Sequence, residues 1–97
     1  MFDVRQTPEY EAWFAKLRDR TAKARIDVRI RRLSLGNLGD AKFFEGIGEL
    51  RIDHGPGYRV YFVRRGKVVV ILLCGGDKST QPADIKAAKA IAERLKV

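Results

Sequence analysis

The sequence predicts a small α+β domain, and three observations lead there. Apolar residues recur at helical spacing in two stretches between Pro8 and Gly36 and again after Pro82. Three segments between residues 48 and 74 alternate or run apolar as strands do. The two kinds of segment are grouped rather than interleaved, which gives the order strand, two helices, three antiparallel strands, helix, with the helices on one face of a mostly antiparallel sheet.

Phe2 and Val4 alternate with Asp3 and Arg5 as a short first strand, and Thr7 followed by Pro8 is a helix-start signal. Tyr10, Trp13, Phe14 and Leu17 then fall at i, i+3, i+4 and i+7, one stripe of a first helix from Pro8 to about Arg18. Asp19 or Thr21 caps a second helix in which Ala22, Ile26, Ile30 and Leu33 face the core, and Gly36 with Asn37 stops it. The short turn between them makes an antiparallel helical hairpin. Residues 38 to 46 have no clear period and read as a loop.

A three-stranded antiparallel meander follows. Residues 48 to 53 alternate, residues 58 to 64 read YRVYFVR, and residues 67 to 74 are the run KVVVILLC, apolar enough to be buried on both faces. If DHGPG at 53 to 57 is the first hairpin loop, Leu50 opposes Val60, Ile52 opposes Tyr58 and Arg51 opposes Arg59. Arg65-Gly66 is a two-residue hairpin signal, which pairs Arg59 with Leu72 and Tyr61 with Val70 and sets Cys74 beside Gly57. The last helix starts near Pro82 and carries Ile85, Ala88, Ile91, Ala92 and Leu95 along one side. No repeat, linker or low-complexity segment divides the chain, so residues 1–97 form one domain.

Composition narrows the function. With 97 residues and 45% apolar content the chain can bury one modest core. The lone Cys74 permits no internal disulfide, which suits a reducing, cytoplasmic setting, and no stretch approaches the roughly 20 apolar residues that span a bilayer. Neither a signal peptide nor a membrane role is expected. The formal net charge of +8 is large for this size and unevenly placed: eight basic and two acidic residues lie between Lys16 and Arg32. Such a stripe, with Arg25, Arg29 and Arg32 along one side of the second helix, fits a phosphate backbone, so these three are expected RNA-binding residues.

The chemistry converges on one rim of the sheet. Like charges directly across a strand pair destabilise it, so Arg51 opposite Arg59 reads as an anion site. The structural alternative is a solvated salt-bridge cluster in which Asp53 and Glu49 neutralise the pair. The chain after the last strand, Gly75 to Thr80, must come near them, which adds Lys78. His54, the single histidine, sits in the loop at that rim and is suited to proton transfer, or is an exposed loop residue without a role. The glycines at 55, 57, 75 and 76 admit a substrate backbone or only permit turns. No phosphate-binding glycine loop, dinucleotide fingerprint, HExxH or CxxC occurs, and one histidine with one cysteine cannot build a zinc site. No metal and no small-molecule cofactor are expected.

The GYRVYF strand at 57 to 62 after LRID, the KVVVILLCGGDK run and the short closing helix resemble the RelE/ParE superfamily of toxin-antitoxin toxins, in particular the HigB-like addiction-module killer proteins. The similarity covers nearly the whole chain, and its more specific part is Gly48 to Lys78. It implies a RelE-like fold and a ribosome-dependent endoribonuclease that cuts mRNA without a metal, through a 2′,3′-cyclic phosphate. It implies a cognate antitoxin protein as partner. Arg59 matches the family's strand arginine, Arg51 a basic residue of the preceding strand and Lys78 a basic residue after the final strand. The tyrosine that such toxins often carry near the start of the last helix is absent; Asp84 stands there, where a first-turn acid also serves the helix. Two other readings stay open: a ParE-like poison of DNA gyrase without nuclease activity, and a non-catalytic RNA-binding module. In the expected register Val70 and Leu72 share a face with Arg59 and need cover from the last helix or from a partner, and an antitoxin segment is the expected cover.

Overall fold

The computed structural model describes residues 1–96. The chain forms β1 (Asp3–Gln6), α1 (Pro8–Lys16), α2 (Arg20–Ser34), β2 (Ala41–Phe44), β3 (Ile47–Ile52), β4 (Tyr58–Arg65), β5 (Val69–Asp77), a 3-10 turn at Lys78–Thr80, and α3 (Gln81–Arg94). The α+β class is as the sequence predicts, and so is the element order apart from one added strand, β2. The strands make one sheet in the order β1-β5-β4-β3-β2, antiparallel except where β1 runs parallel to β5.

Both helix starts follow local chemistry. The Thr7 hydroxyl accepts from the Tyr10 amide at 3.1 Å and donates to the Leu73 carbonyl at 2.7 Å, so one buried oxygen caps α1 and ties it to β5. Thr7→Ala removes the cap and leaves a buried carbonyl short of a donor, and should cost about 2 kcal/mol in urea unfolding. Asp19 is the cap of α2, its carboxylate accepting from Ala22 N at 3.1 Å. That choice shortens α1, because a cap needs extended backbone before the new helix: Leu17 is already extended at ψ 130°, and α1 ends at Lys16 rather than near Arg18. Gly36, at φ +88°, terminates α2 as expected.

The first hairpin has the predicted register, with Leu50 opposite Val60, Arg51 opposite Arg59 and Ile52 opposite Tyr58. The second does not. Its loop is Gly66 to Val68, Arg65 faces Val69, and a bulge between Tyr61 and Phe62 shifts the pairing by one more residue. Arg59 therefore opposes Gly76 and Tyr61 opposes Cys74, in place of Leu72 and Val70. An unbroken apolar run carries no alternation, so no side chain penalises the slip when the sequence is read alone. The expected loop at 38 to 46 contains β2, which pairs Ala41 with Leu50 and Phe44 with Ile47, making the meander four-stranded. AKFF hid as a strand because its apolar residues do not alternate: Phe43, facing out on this edge strand, is 62% exposed.

Helices lie on both faces, not one. Tyr10 of α1 and Ile26 and Leu33 of α2 pack on Leu50, Val60 and Leu72, while Ala88, Ile91 and Ala92 of α3 pack on Tyr61, Val63 and Leu73. A central strand apolar on both faces requires this. Val70 and Leu72 are accordingly covered by α1 and α2, and no partner segment is needed there. Adjacent glycines let both layers close on β5. A Cβ at Gly75 would sit 2.3 Å from the Trp13 ring, and one at Gly76 would sit 1.8 Å from the Asp84 carboxylate, so these two serve helix packing rather than substrate approach.

Candidate active site

Arg51 and Arg59 face each other across β3 and β4, on the side of the sheet that α3 covers in part. β5 runs on past the bulge until Gly76 reaches Arg59 and Asp77 reaches Tyr58, which delivers Lys78 to the same end of the sheet. Asp77 then caps the 3-10 turn, its carboxylate accepting from the Ser79 amide at 2.8 Å. The Ser79 hydroxyl and amide, in that order, hold the Asp77 carboxyl below the usual range. Gly57, at φ +79°, closes the gap between the strands; a Cβ there would lie 3.4 Å from both Arg59 Nη1 and Lys78 Cβ.

The result is an open cleft of about 380 Å³ lined by Arg51, Arg59, Lys78, Asp40, Asp53 and the Gly55–Gly57 turn. Arg59 is the most enclosed cation, its side chain 12% exposed, with Nη1 donating to the carbonyls of Gly57 at 3.0 Å and Tyr58 at 3.3 Å. Arg51 is 35% exposed and Lys78 stands at the exposed wall. Behind the arginines lies Glu49, with no exposure at all. Its Oε1 is 3.2 Å from Arg51 Nε and 3.9 Å from Arg59 Nε, and its Oε2 accepts from Gln81 Nε2 at 2.8 Å. The alternation in β3 marks Glu49 as an outward residue, but that side is the one α3 covers. Burial, and after it the adjoining Glu49 carboxylate, push the Tyr61 phenol well above its ordinary range.

His54 is not part of this lining. Its Nε2 lies 3.0 Å from Asp19 Oδ2, so the imidazole turns to the start of α2 and ties the DHGPG loop to that helix cap. The Ala22 amide and then His54 hold the Asp19 carboxyl below its ordinary range.

Arg25, Arg29 and Arg32 line a second groove together with Thr21, Ala24 and Val28 of the same helix. Ile52 and Asp53 line both, so the groove and the cleft lie side by side. The three arginines are not equivalent. Arg25 and Arg32 are exposed, whereas Arg29 donates to the carbonyls of Arg51, Leu38 and Asp40, the last two at 2.9 Å and 2.8 Å. Asp84 is engaged by the Thr80 hydroxyl and fills the space over Gly76. Burial pushes the Cys74 thiol up to about 12, so it stays protonated and unreactive at neutral pH.

Three contributors escaped the sequence reading in different ways. Asp40 lay in a segment without period, and the Arg51 amide bonds its carbonyl at 3.0 Å. Gln81 carried no signal beyond its place at a helix start. Glu49 was visible as a neutralising charge, but not as a buried one.

No helix among the described residues is long and apolar enough to cross a membrane. Residues 12–96 match the family described as phage derived protein Gp49-like (DUF891). An uncharacterized protein of Haemophilus influenzae is 54% identical over 93 residues, covering 95% of this chain and 94% of the relative. No solved structure matches the chain. The family match reaches from the middle of α1 to the end of the described residues and includes every residue of the cleft, and the chain belongs to the phage-derived Gp49-like family.

Proposed function

We propose that this protein is the toxin of a type II toxin-antitoxin module: an endoribonuclease that cuts mRNA on the ribosome and is held inactive by a cognate antitoxin protein. The Gp49-like family supports a toxin of this type, and the RelE/ParE and HigB-like resemblance of the Gly48–Lys78 segment supports the nuclease. One observation carries the reading. Three cations from three different strand ends, Arg51, Arg59 and Lys78, meet in a single open cleft.

In the reaction, the 2′-oxygen of a ribose forms a bond to its own 3′-phosphorus and the bond from phosphorus to the 5′-oxygen of the next nucleotide breaks. The 2′-hydroxyl gives up its proton and the departing 5′-oxygen gains one, leaving a 2′,3′-cyclic phosphate and a 5′-hydroxyl. The phosphorane between these states carries more negative charge than the bound diester, so fixed guanidiniums at Arg59 and Arg51 stabilise it differentially, and Lys78 adds to the field. One of the two acidic residues of the lining, Asp40 or Asp53, takes the 2′-hydroxyl proton, and solvent water in the open cleft supplies the proton that the 5′-oxygen gains. The groove under Arg25 and Arg32 extends the path for the rest of the strand.

The role assigned here to His54 is to anchor the loop. His54→Ala should keep cleavage within about tenfold of wild type, whereas loss of a residue that transfers the proton costs about 10² to 10⁴. A loss in the larger range at neutral pH would return the proton transfer to His54.

The test of the whole reading is to translate a reporter mRNA with the purified protein and map the new 5′ ends. Cuts inside ribosome-occupied codons, each with a 5′-hydroxyl, are the expected result. Intact mRNA alongside inhibited supercoiling by gyrase overturns it. Co-expression of the cognate antitoxin should suppress the cuts.

A further inference from the structure

Glu49 is the least expected side chain in the molecule: a carboxylate with zero exposure, set behind two arginines that face a cleft. Burying a charge is costly unless it is paired and hydrogen-bonded, and here both oxygens are used. Oε1 takes Arg51 Nε at 3.2 Å and stands 3.9 Å from Arg59 Nε, while Oε2 takes the Gln81 amide at 2.8 Å. Across the strands Glu49 is paired with Tyr61 of β4, also fully buried, and with Lys42 of the edge strand β2.

The geometry at Arg59 gives the arrangement its direction. Nη1 is fixed by two carbonyls, and Nε is buried with no hydrogen bond, its nearest acidic neighbour being Glu49. Nη2 makes no hydrogen bond among the described residues and the side chain lines the cleft. Arg51 is likewise held at Nε, with its terminal nitrogens unengaged among the described residues. Two guanidiniums directly opposite each other repel. A shared anion on their inner side offsets that repulsion and leaves the outer nitrogens for a bidentate ligand.

We propose that Glu49, steadied by Gln81 at the start of α3, is a positioning residue that holds Arg51 and Arg59 in one orientation toward the scissile phosphate. The proposal rests on the nuclease reading for its catalytic consequence, but the positioning can be measured without catalysis. Glu49 also subtracts a unit charge close to the site, so its two effects oppose each other. Removing it raises attraction for RNA while loosening the groups that must meet the transition state. A residue that only stabilised the fold would not separate affinity from rate in this way.

The experiment uses Glu49→Gln, which keeps the shape of the side chain and removes its charge. The first measurement is solvent exchange of the arginine Nε–H signals in ¹H–¹⁵N spectra, with the backbone spectrum as the control for folding. The Arg51 signal should exchange at least about tenfold faster in the variant, because the charge-assisted hydrogen bond that protects it is gone. The second is cleavage: kcat should fall about 10- to 100-fold, the scale of a misplaced catalytic group, while KM stays level or drops. Gln81→Ala should shift both readouts in the same direction by a smaller factor. If Glu49→Gln does not fold, Gln81→Ala decides, since that residue is only half-buried at a helix start. Unchanged Nε exchange together with unchanged kcat in a folded variant overturns the proposal, as does a loss of kcat matched by an equal rise in KM. If the wild-type protein cuts no RNA, the nuclease reading fails while the exchange measurement still decides the positioning.

Discussion

Arg59→Ala is expected to abolish detectable cleavage of a translated mRNA, with kcat lower by about 10² to 10³, the loss seen when one preorganised donor is taken from a site of developing charge. The size of the effect follows from enclosure. At 12% exposure the Arg59 guanidinium acts through poorly solvated space, and its Nη1 is already fixed by Gly57 and Tyr58, so it reorganises little when charge develops on the phosphorane. RNA affinity should change little, because the ground-state diester carries one charge whether or not that donor is present and the exposed cations supply most of the attraction. Mapping 5′ ends at matched ribosome occupancy, with filter binding at fixed salt beside it, separates the two effects. Arg59→Ala with full cleavage would remove the cleft from the mechanism. Equal losses in binding and cleavage would make Arg59 a binding residue only.

The second large effect concerns folding. Arg29→Ala should lower stability by about 2 to 4 kcal/mol in denaturant unfolding, whereas Arg25→Ala and Arg32→Ala should each change it by less than about 0.5 kcal/mol. The three sit on the same helix and look alike in composition, but Arg29 donates to three carbonyls from two segments, those of Leu38 and Asp40 before β2 and that of Arg51 in β3. Losing that guanidinium takes the side-chain donor from the Leu38 and Arg51 carbonyls, leaves the Asp40 carbonyl with the Arg51 amide alone, and releases the chain leading into β2. The exposed pair should show itself in the salt dependence instead. Removing Arg25 and Arg32 together should lower the slope of log affinity against log salt by about 1.4, at about 0.7 per phosphate contact on a single strand. If Arg25 and Arg32 destabilise as much as Arg29, the division between fold and binding is wrong.

Much of this could be read from the chain because it is encoded locally. Thr7-Pro8, Asp19 and Gly36 place the helices through capping and backbone preference, which need only neighbours in sequence. Leu50, Ile52, Tyr58 and Val60 alternate around a loop of defined length, and that alternation set the first hairpin in register and brought Arg51 opposite Arg59. The approach of Lys78 follows from β5 having to return along β4, which brings its end back to the start of β4 in the expected register as in the observed one.

The sequence by itself thus determined the α+β class, the helix starts, the basic balance and the arginine pair, since each depends on propensity, charge or period-2 patterning within one or two elements. Tertiary structure alone decided which face α3 covers, the bulge at Tyr61 and Phe62, the turning of His54 to Asp19, the diversion of Arg29 into the fold and the burial of Glu49. These depend on contacts between residues far apart in the chain, where an apolar run fits either register and a glutamate on an alternating strand looks solvated until a helix is laid across it.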